Sequence, residues 1–368
     1  MKKKIISIIV FILIVILLLF LISPIFVPKW ISGEDNYITQ IVRGFYAEKK
    51  NSLDVLFMGN SDMYRGMAPI ELWDNYGIAS YSYTSPGQRA WTGKYVLNDA
   101  LKYQNPKIIV FNIDGIQSTN QSTESCYRKS FDNMKLNYNK IKAIMDPVYK
   151  NSAATKLSYI FPIFRYHSRL TNLTNDDFKY AYGYNVFDNK GQDTIVEIKA
   201  YNGEKSYMEN KGEKYEIPQK TKKYIDDIIQ ICKNKKIELI LVEVPSADSW
   251  SLAKSNAVAE YAKENDLTFI DFNLLLDEIE FDWTKDTPDG GDHLNIYGAK
   301  KVSEYMGKYL KEKFDLPDRR KDDNYSSWFE SSKKYHNNIK ELINEYEKNP
   351  DKFCQDFLHI YNKFKLLQ

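Results

Sequence analysis

The sequence predicts an α/β fold in three layers, with a parallel sheet of about five strands between helices on both faces. Short apolar runs recur along the chain, each closed by a polar or turn residue, as strands buried on both faces read. Helical stretches stand between them, which is the pattern of βαβ units. Bulk composition agrees: 43% hydrophobic and 27% charged among 368 residues, a balance that excludes wholesale disorder.

The first strand is expected at 53–58 (LDVLFM), ended by Gly59. A helix at 68–76 follows, stopped by Gly77, and 78–83 alternates like a strand. Pro86 and Gly87 precede a helix at 89–103, and 107–113 (KIIVFNI) reads as a third buried strand. An insertion, 117–216, then interrupts the pattern. It resumes with a helix at 219–234, a strand at 237–244, a helix at 251–265, a strand at 268–271 and a last helix at 295–313. The tail, 317–368, reads as two surface helices at 325–347 and 351–365. The α/β domain therefore spans 50–316, and a sheet of this kind places its sites at the carboxyl ends of its strands.

Residues 1–30 stand apart. Lys2, Lys3 and Lys4 precede an apolar run at 5–22 broken only by Ser7. About 20 apolar residues span a bilayer as a helix, and continuing to Val27 reaches that length. Lysines stay cytoplasmic, so the rest of the chain is expected outside the membrane. A cleaved signal peptide would have a shorter apolar core and a small-x-small site; here Pro24, Phe26, Pro28 and Trp30 follow. The expectation is a single-pass cell-membrane anchor with an extracytoplasmic domain.

Charge and ligand-type residues narrow the function. Lys and Arg number 51 against 49 Asp and Glu, a net charge of +2. That balance offers no basic face for nucleic acid. Cys126, Cys232 and Cys354 are widely spaced and odd in number, so neither a disulfide framework nor a metal knuckle is read. The only histidines are His167, His293, His336 and His359, too few for a His-rich metal site. No metal or cofactor is expected.

Two loops hold the candidate chemistry. Gly59-Asn60-Ser61-Asp62 directly follows the first strand. A serine at such a turn sits above the sheet edge among backbone amides that can hold an oxyanion. Alternatively, Ser61 caps the next segment. The second loop, Asp289-Gly290-Gly291-Asp292-His293-Leu294-Asn295, lies between the last strand and the last helix. A histidine there can reach the serine, oriented by a neighbouring carboxylate; alternatively it is solvated, with the carboxylates serving as caps.

Over 54–115 and 236–314 the chain resembles the SGNH (GDSL-like) hydrolase superfamily. It is most similar to the membrane-anchored branch with alginate-type O-acetyltransferases and the D-alanyl-transfer protein of teichoic acid synthesis. The resemblance implies Ser61 as nucleophile and His293 as base. It implies an oxyanion hole from Gly87, in Ser85-Pro86-Gly87-Gln88, from Asn112, in Asn112-Ile113-Asp114, and from the Asp62 amide. The usual final block is Asp-x-x-His, but Gly occupies 290, so the acid is Asp289 or Asp292; adjacent side chains diverge, which favours Asp289. Asn60 replaces the Asp of the GDS signature.

The implied activity is acyl transfer to or from a hydroxyl of a cell-surface polysaccharide or teichoic acid, with a multi-pass membrane acyltransferase as the partner that supplies the acyl group. A plain carbohydrate esterase and a non-catalytic surface or assembly protein are the alternatives. Within the insertion, Arg165, Tyr166 and His167 could line a saccharide groove or simply pack the insertion down, and Trp250 could border the cleft.

Overall fold

A computed structural model describes residues 2–29, 37–117, 124–203 and 205–350. Helix α1 (Lys2–Phe26) is followed by α2 (Tyr37–Phe45), a short amphipathic helix with no counterpart in the sequence expectation. Then come β1 (Val55–Met58), α3 (Ser61–Gly66), α4 (Pro69–Tyr76), β2 (Ser80–Ser82), α5 (Ala90–Ala100) and β3 (Ile108–Asn112). The insertion carries α6 (Glu124–Phe131), α7 (Tyr138–Met145), α8 (Ala153–Ile160), α9 (Ile163–Tyr166) and α10 (Asn175–Lys179). The chain closes with α11 (Gln219–Lys235), β4 (Glu238–Glu243), α12 (Leu252–Glu264), β5 (Thr268–Asp271), α13 (Ile296–Lys313) and α14 (Ser326–Lys348).

The five strands form one parallel sheet in the order β2-β1-β3-β4-β5. Each lies within its expected stretch, because each is a run of residues that can be buried on both faces. Val55 and Phe57 enter the core beneath α3, α4 and α13, while Leu56 and Met58 point to the layer of α5, α11 and α12. Strand order reverses between β1 and β3, and their carboxyl ends open the crevice where such sheets bind ligands.

The tail forms one described α-helix. The 325–347 stretch, expected as a surface helix, is α14, which buries Trp328, Ser331 and Tyr335. Trp328 packs on Trp73 of α4 with ring centroids 5.1 Å apart, and the Tyr335 hydroxyl donates to Gln192 Oε1 at 2.8 Å. Wide aromatic spacing along a polar helix hid this narrow buried stripe. The second expected tail helix, 351–365, lies outside the described residues.

The insertion also meets the loop before α13. Its last stretch returns to the sheet and runs beside the loop before α13. Lys199 N donates to Thr287 O at 2.9 Å, Tyr201 N to Trp283 O at 2.9 Å, and Ile296 N to Ile195 O at 2.8 Å. These bonds brace the loop that carries His293.

Candidate active site

Ser61 opens α3 directly after β1. Asn60 is the cap, its side-chain oxygen accepting from the Asp62 amide at 3.2 Å. Asn60 Nδ2 donates to Asp114 Oδ2 at 2.8 Å, tying the end of β1 to the end of β3 across the strand-order reversal. Gly59 has φ +144, and a Cβ there would collide with the Asn112 side chain, so only glycine lets the chain turn this tightly.

Ser61 Oγ lies 2.8 Å from His293 Nε2, and His293 Nδ1 lies 2.6 Å from Asp289 Oδ2. The loop explains the extra residue between acid and histidine. Gly290 and Gly291 take φ +89 and +119, and the chain folds back so that Asp289 Oδ1 accepts the amides of Asp292 at 3.2 Å and His293 at 3.0 Å. The carboxylate thus holds both the loop and the ring. Asp292 Oδ2 is 3.3 Å from Nδ1, but its side chain is 45% exposed against 13% for Asp289. Asp289 has the shorter contact, the drier setting and the amide support.

Protonation follows from these contacts. Burial raises the Asp289 pKa, but the His293 hydrogen bond, the imidazolium charge and Arg65 outweigh it and lower it to about 2. His293 is lowered by burial and by Arg65, yet the bond to Asp289 and the charges of Asp62 and Asp292 leave it above 6.5. With Asp289 ionised, Nδ1 carries the proton and Nε2 is the free base facing Ser61.

The oxyanion assignment changes in part. The Asp62 amide is engaged by the Asn60 cap, and Asn112 Nδ2 points to Glu243 Oε2 at 3.4 Å. The cap engages the Asp62 amide, and the Glu243 contact uses one of the two Asn112 Nδ2 hydrogens. Gly87 lies in a turn tied to β1, where Ser85 N donates to Gly59 O at 3.2 Å. The Ser61 amide, first in α3, has no intrahelical acceptor.

Several residues here were not foreseen. Arg65 follows Ser61 by one turn and bridges Asp193 (3.1 Å) and Asp289 (3.7 Å). Its i+4 spacing from Ser61 was readable; Asp193, inside the insertion, had no local signal. Asp62, Asp114 and Glu243 bring carboxylate oxygens within 4.8 Å of one another beside the histidine. Oxygens so spaced suit a hard cation, while shared protons would relieve the same repulsion. Burial and Asp114 raise Asp62 to about 7, and burial raises Glu243 well above the ordinary range.

The proposed saccharide residues sit elsewhere. Arg165 and Tyr166 line a cavity of about 370 Å³ with Pro28, Arg128 and Arg169, near the end of α1. Tyr166 donates to Asp132 at 2.5 Å, and His167 is exposed. The structure does not bring these three residues to Ser61. Trp250 is buried, its indole donating to Asp271 at 2.9 Å. It borders a cavity of about 190 Å³ with Tyr207, behind the loop where Ala247 N donates to Gly291 O at 2.8 Å.

No protein-family model matches the chain, and no curated protein does. Among solved structures, the chain is similar to one assigned to the lipolytic proteins of the G-D-S-L family from Desulfitobacterium hafniense DCB-2. The TM-score is 0.37 and the identity 11%, covering 70% of this chain and 98% of that one. A GDSL-like lipase from Bacteroides thetaiotaomicron VPI-5482 gives 0.33 and 12%, covering 71% and 88%. Likeness at this level leaves the chemistry to the site's own geometry.

Proposed function

We propose that this protein is a serine-dependent acyl-transferring enzyme, anchored by α1 and acting outside the membrane on ester-linked acyl groups of a cell-surface glycan. The relay Ser61–His293–Asp289, at 2.8 and 2.6 Å, carries the reading.

His293 Nε2 takes the Ser61 proton as Oγ attacks the ester carbonyl. The tetrahedral intermediate collapses, its C–O bond breaks, and the imidazolium gives that proton to the departing hydroxyl. An acyl-Ser61 ester remains. A second hydroxyl then attacks it and gives its proton to His293; the acyl C–Oγ bond breaks, and the imidazolium returns that proton to Ser61 Oγ. A sugar hydroxyl makes the reaction a transfer; water makes it a hydrolysis. Asp289 stabilises the imidazolium in both halves.

An apolar helix long enough to cross a bilayer supports the anchored reading. Anchoring in turn supports transfer, with a multi-pass acyltransferase delivering the acyl group. The assembled relay weighs against a purely non-catalytic role.

A fluorophosphonate probe tests the nucleophile. It should label the wild type and not Ser61→Ala; equal labelling of both sinks the reading. Incubation with an acetyl ester and a glycan acceptor separates the outcomes: mass gain on the glycan means transfer, and free acetate alone means an esterase.

A further inference from the structure

We propose that the insertion is a membrane-seating collar, in which α9, α10 and their adjoining turns lie in the lipid interface around the exit of α1. This rests on the reading of α1 as a bilayer span. A helix of 25 residues rises about 37 Å, more than the roughly 30 Å hydrocarbon core. Its last turns are therefore at or just below the interface.

The insertion touches α1 at that depth. The Phe161 ring packs on Phe20 with centroids 4.7 Å apart, and the Tyr182 hydroxyl donates to the Leu21 carbonyl. From Pro24 to Val27 the contacts are made by charged side chains. Arg169 Nη1 donates to Phe26 O at 2.7 Å, and Lys29 Nζ donates to Pro24 O at 2.7 Å and Val27 O at 2.8 Å. Lys29 also pairs with Asp177 of α10 at 3.7 Å. Between these two sets of contacts lie three to six residues, about 5–9 Å of helix, against the depth of about 5–10 Å that interfacial helices occupy.

The segments making these contacts present large apolar side chains outward. Phe164 of α9 is 48% exposed, Leu170 67%, Phe178 of α10 58% and Tyr182 62%. Exposed Arg165 and Lys179 stand among them. Aromatic and aliphatic groups mixed with basic ones are the composition of a lipid interface. Arg165, Arg169 and Pro28 line a nearby cavity that opens beside the end of α1, where Arg169 is paired with Asp177 and Arg128 with Asp132. The committed occupant is the bilayer surface itself. A collar of this kind sets the height of Ser61 above the membrane.

Nitroxide labels on the full chain in phosphatidylcholine–phosphatidylglycerol nanodiscs test this. Cys126 and Cys354 are replaced by serine, and Cys232 is buried. Single sites are made by Leu170→Cys, Phe178→Cys, Ile14→Cys and, on α13 across the sheet, Lys308→Cys. Relaxation at 170 and 178 should be dominated by lipid-soluble oxygen, and at 308 by a water-soluble nickel chelate. Nickel dominance at 170 and 178, with oxygen dominance at 14, overturns the collar and leaves the anchor intact. Nickel dominance at 14 refutes the anchor and the collar together. Labels at 170 and 178 that stay water-exposed until a second membrane protein immobilises them also overturn the collar, making the patch a protein-docking face.

Discussion

Arg65 reaches Asp289 Oδ2 at 3.7 Å from the same short helix that carries Ser61. Ser61 and a partner of Asp289 therefore share one short helix, four residues apart on α3. Arg65 also holds buried Asp193 at 3.1 Å, which links the insertion to the catalytic loop.

Arg65→Met should separate a stability effect from an electrostatic one. It leaves Asp193 buried without its partner and should cost about 3–5 kcal/mol in denaturant unfolding. Adding Asp193→Asn should recover most of that loss. Arg65 also lowers the His293 pKa, so its removal should move the acid limb of the kcat/KM profile to higher pH in both variants. An unmoved limb would show that Arg65 is only structural.

The relay should behave as a unit. Ser61→Ala, His293→Ala and the double variant should lose similar activity, about 10³-fold or more, because removing either member disables both. Asp289→Asn should approach that loss, since an amide favours the wrong imidazole tautomer. Asp292→Asn should stay within about tenfold, given its exposure. Additive losses for Ser61 and His293 would assign them to separate functions.

Activity against pH should rise through a base above 6.5, the direction in which Asp289, Asp62 and Asp292 move His293 against burial and Arg65. An apparent kcat/KM pKa below 6.5 contradicts the placement of these carboxylates.

Thermal stability should peak in mild acid. Asp289, lowered to about 2 when folded, contributes stability above its ordinary value near 3.8 and loses it as pH falls toward 2. Asp62 has the opposite sign. Raised to about 7, it keeps its proton when folded and loses it when unfolded, so stability falls as pH climbs from about 4 to 7. Glu243 acts in the same direction. Scanning calorimetry should place the highest Tm near pH 4–5, and Asp62→Asn should flatten the decline above it. A Tm that climbs steadily to pH 7 would contradict the buried cluster.

The tail should matter for stability and not for chemistry. Trp328 is 2% exposed against Trp73, so Trp328→Ala should cost about 3–5 kcal/mol. Its kcat at a temperature where the protein is folded should be unchanged.

Strand positions, the sheet class and the two loops that carry Ser61 and His293 were legible in the sequence, because each depends on residues close together in the chain. An apolar run such as Val55–Met58 has few ways to be buried, and Gly59 permits a turn there whatever lies around it. Ser61 after β1 and His293 before α13 follow from the same local grammar joined to the rule that parallel sheets gather their carboxyl ends. Tertiary structure alone decided which neighbours each group meets. Asp289 rather than Asp292 holds the ring because two glycines at positive φ fold the loop back on itself. The Asp62 amide meets the Asn60 cap, and Asn112 meets Glu243 across the sheet. Asp193 braces Arg65, and the insertion meets Phe20 and Leu21 of α1, through contacts between residues more than a hundred positions apart. Such contacts depend on packing, which no local pattern of residue types encodes.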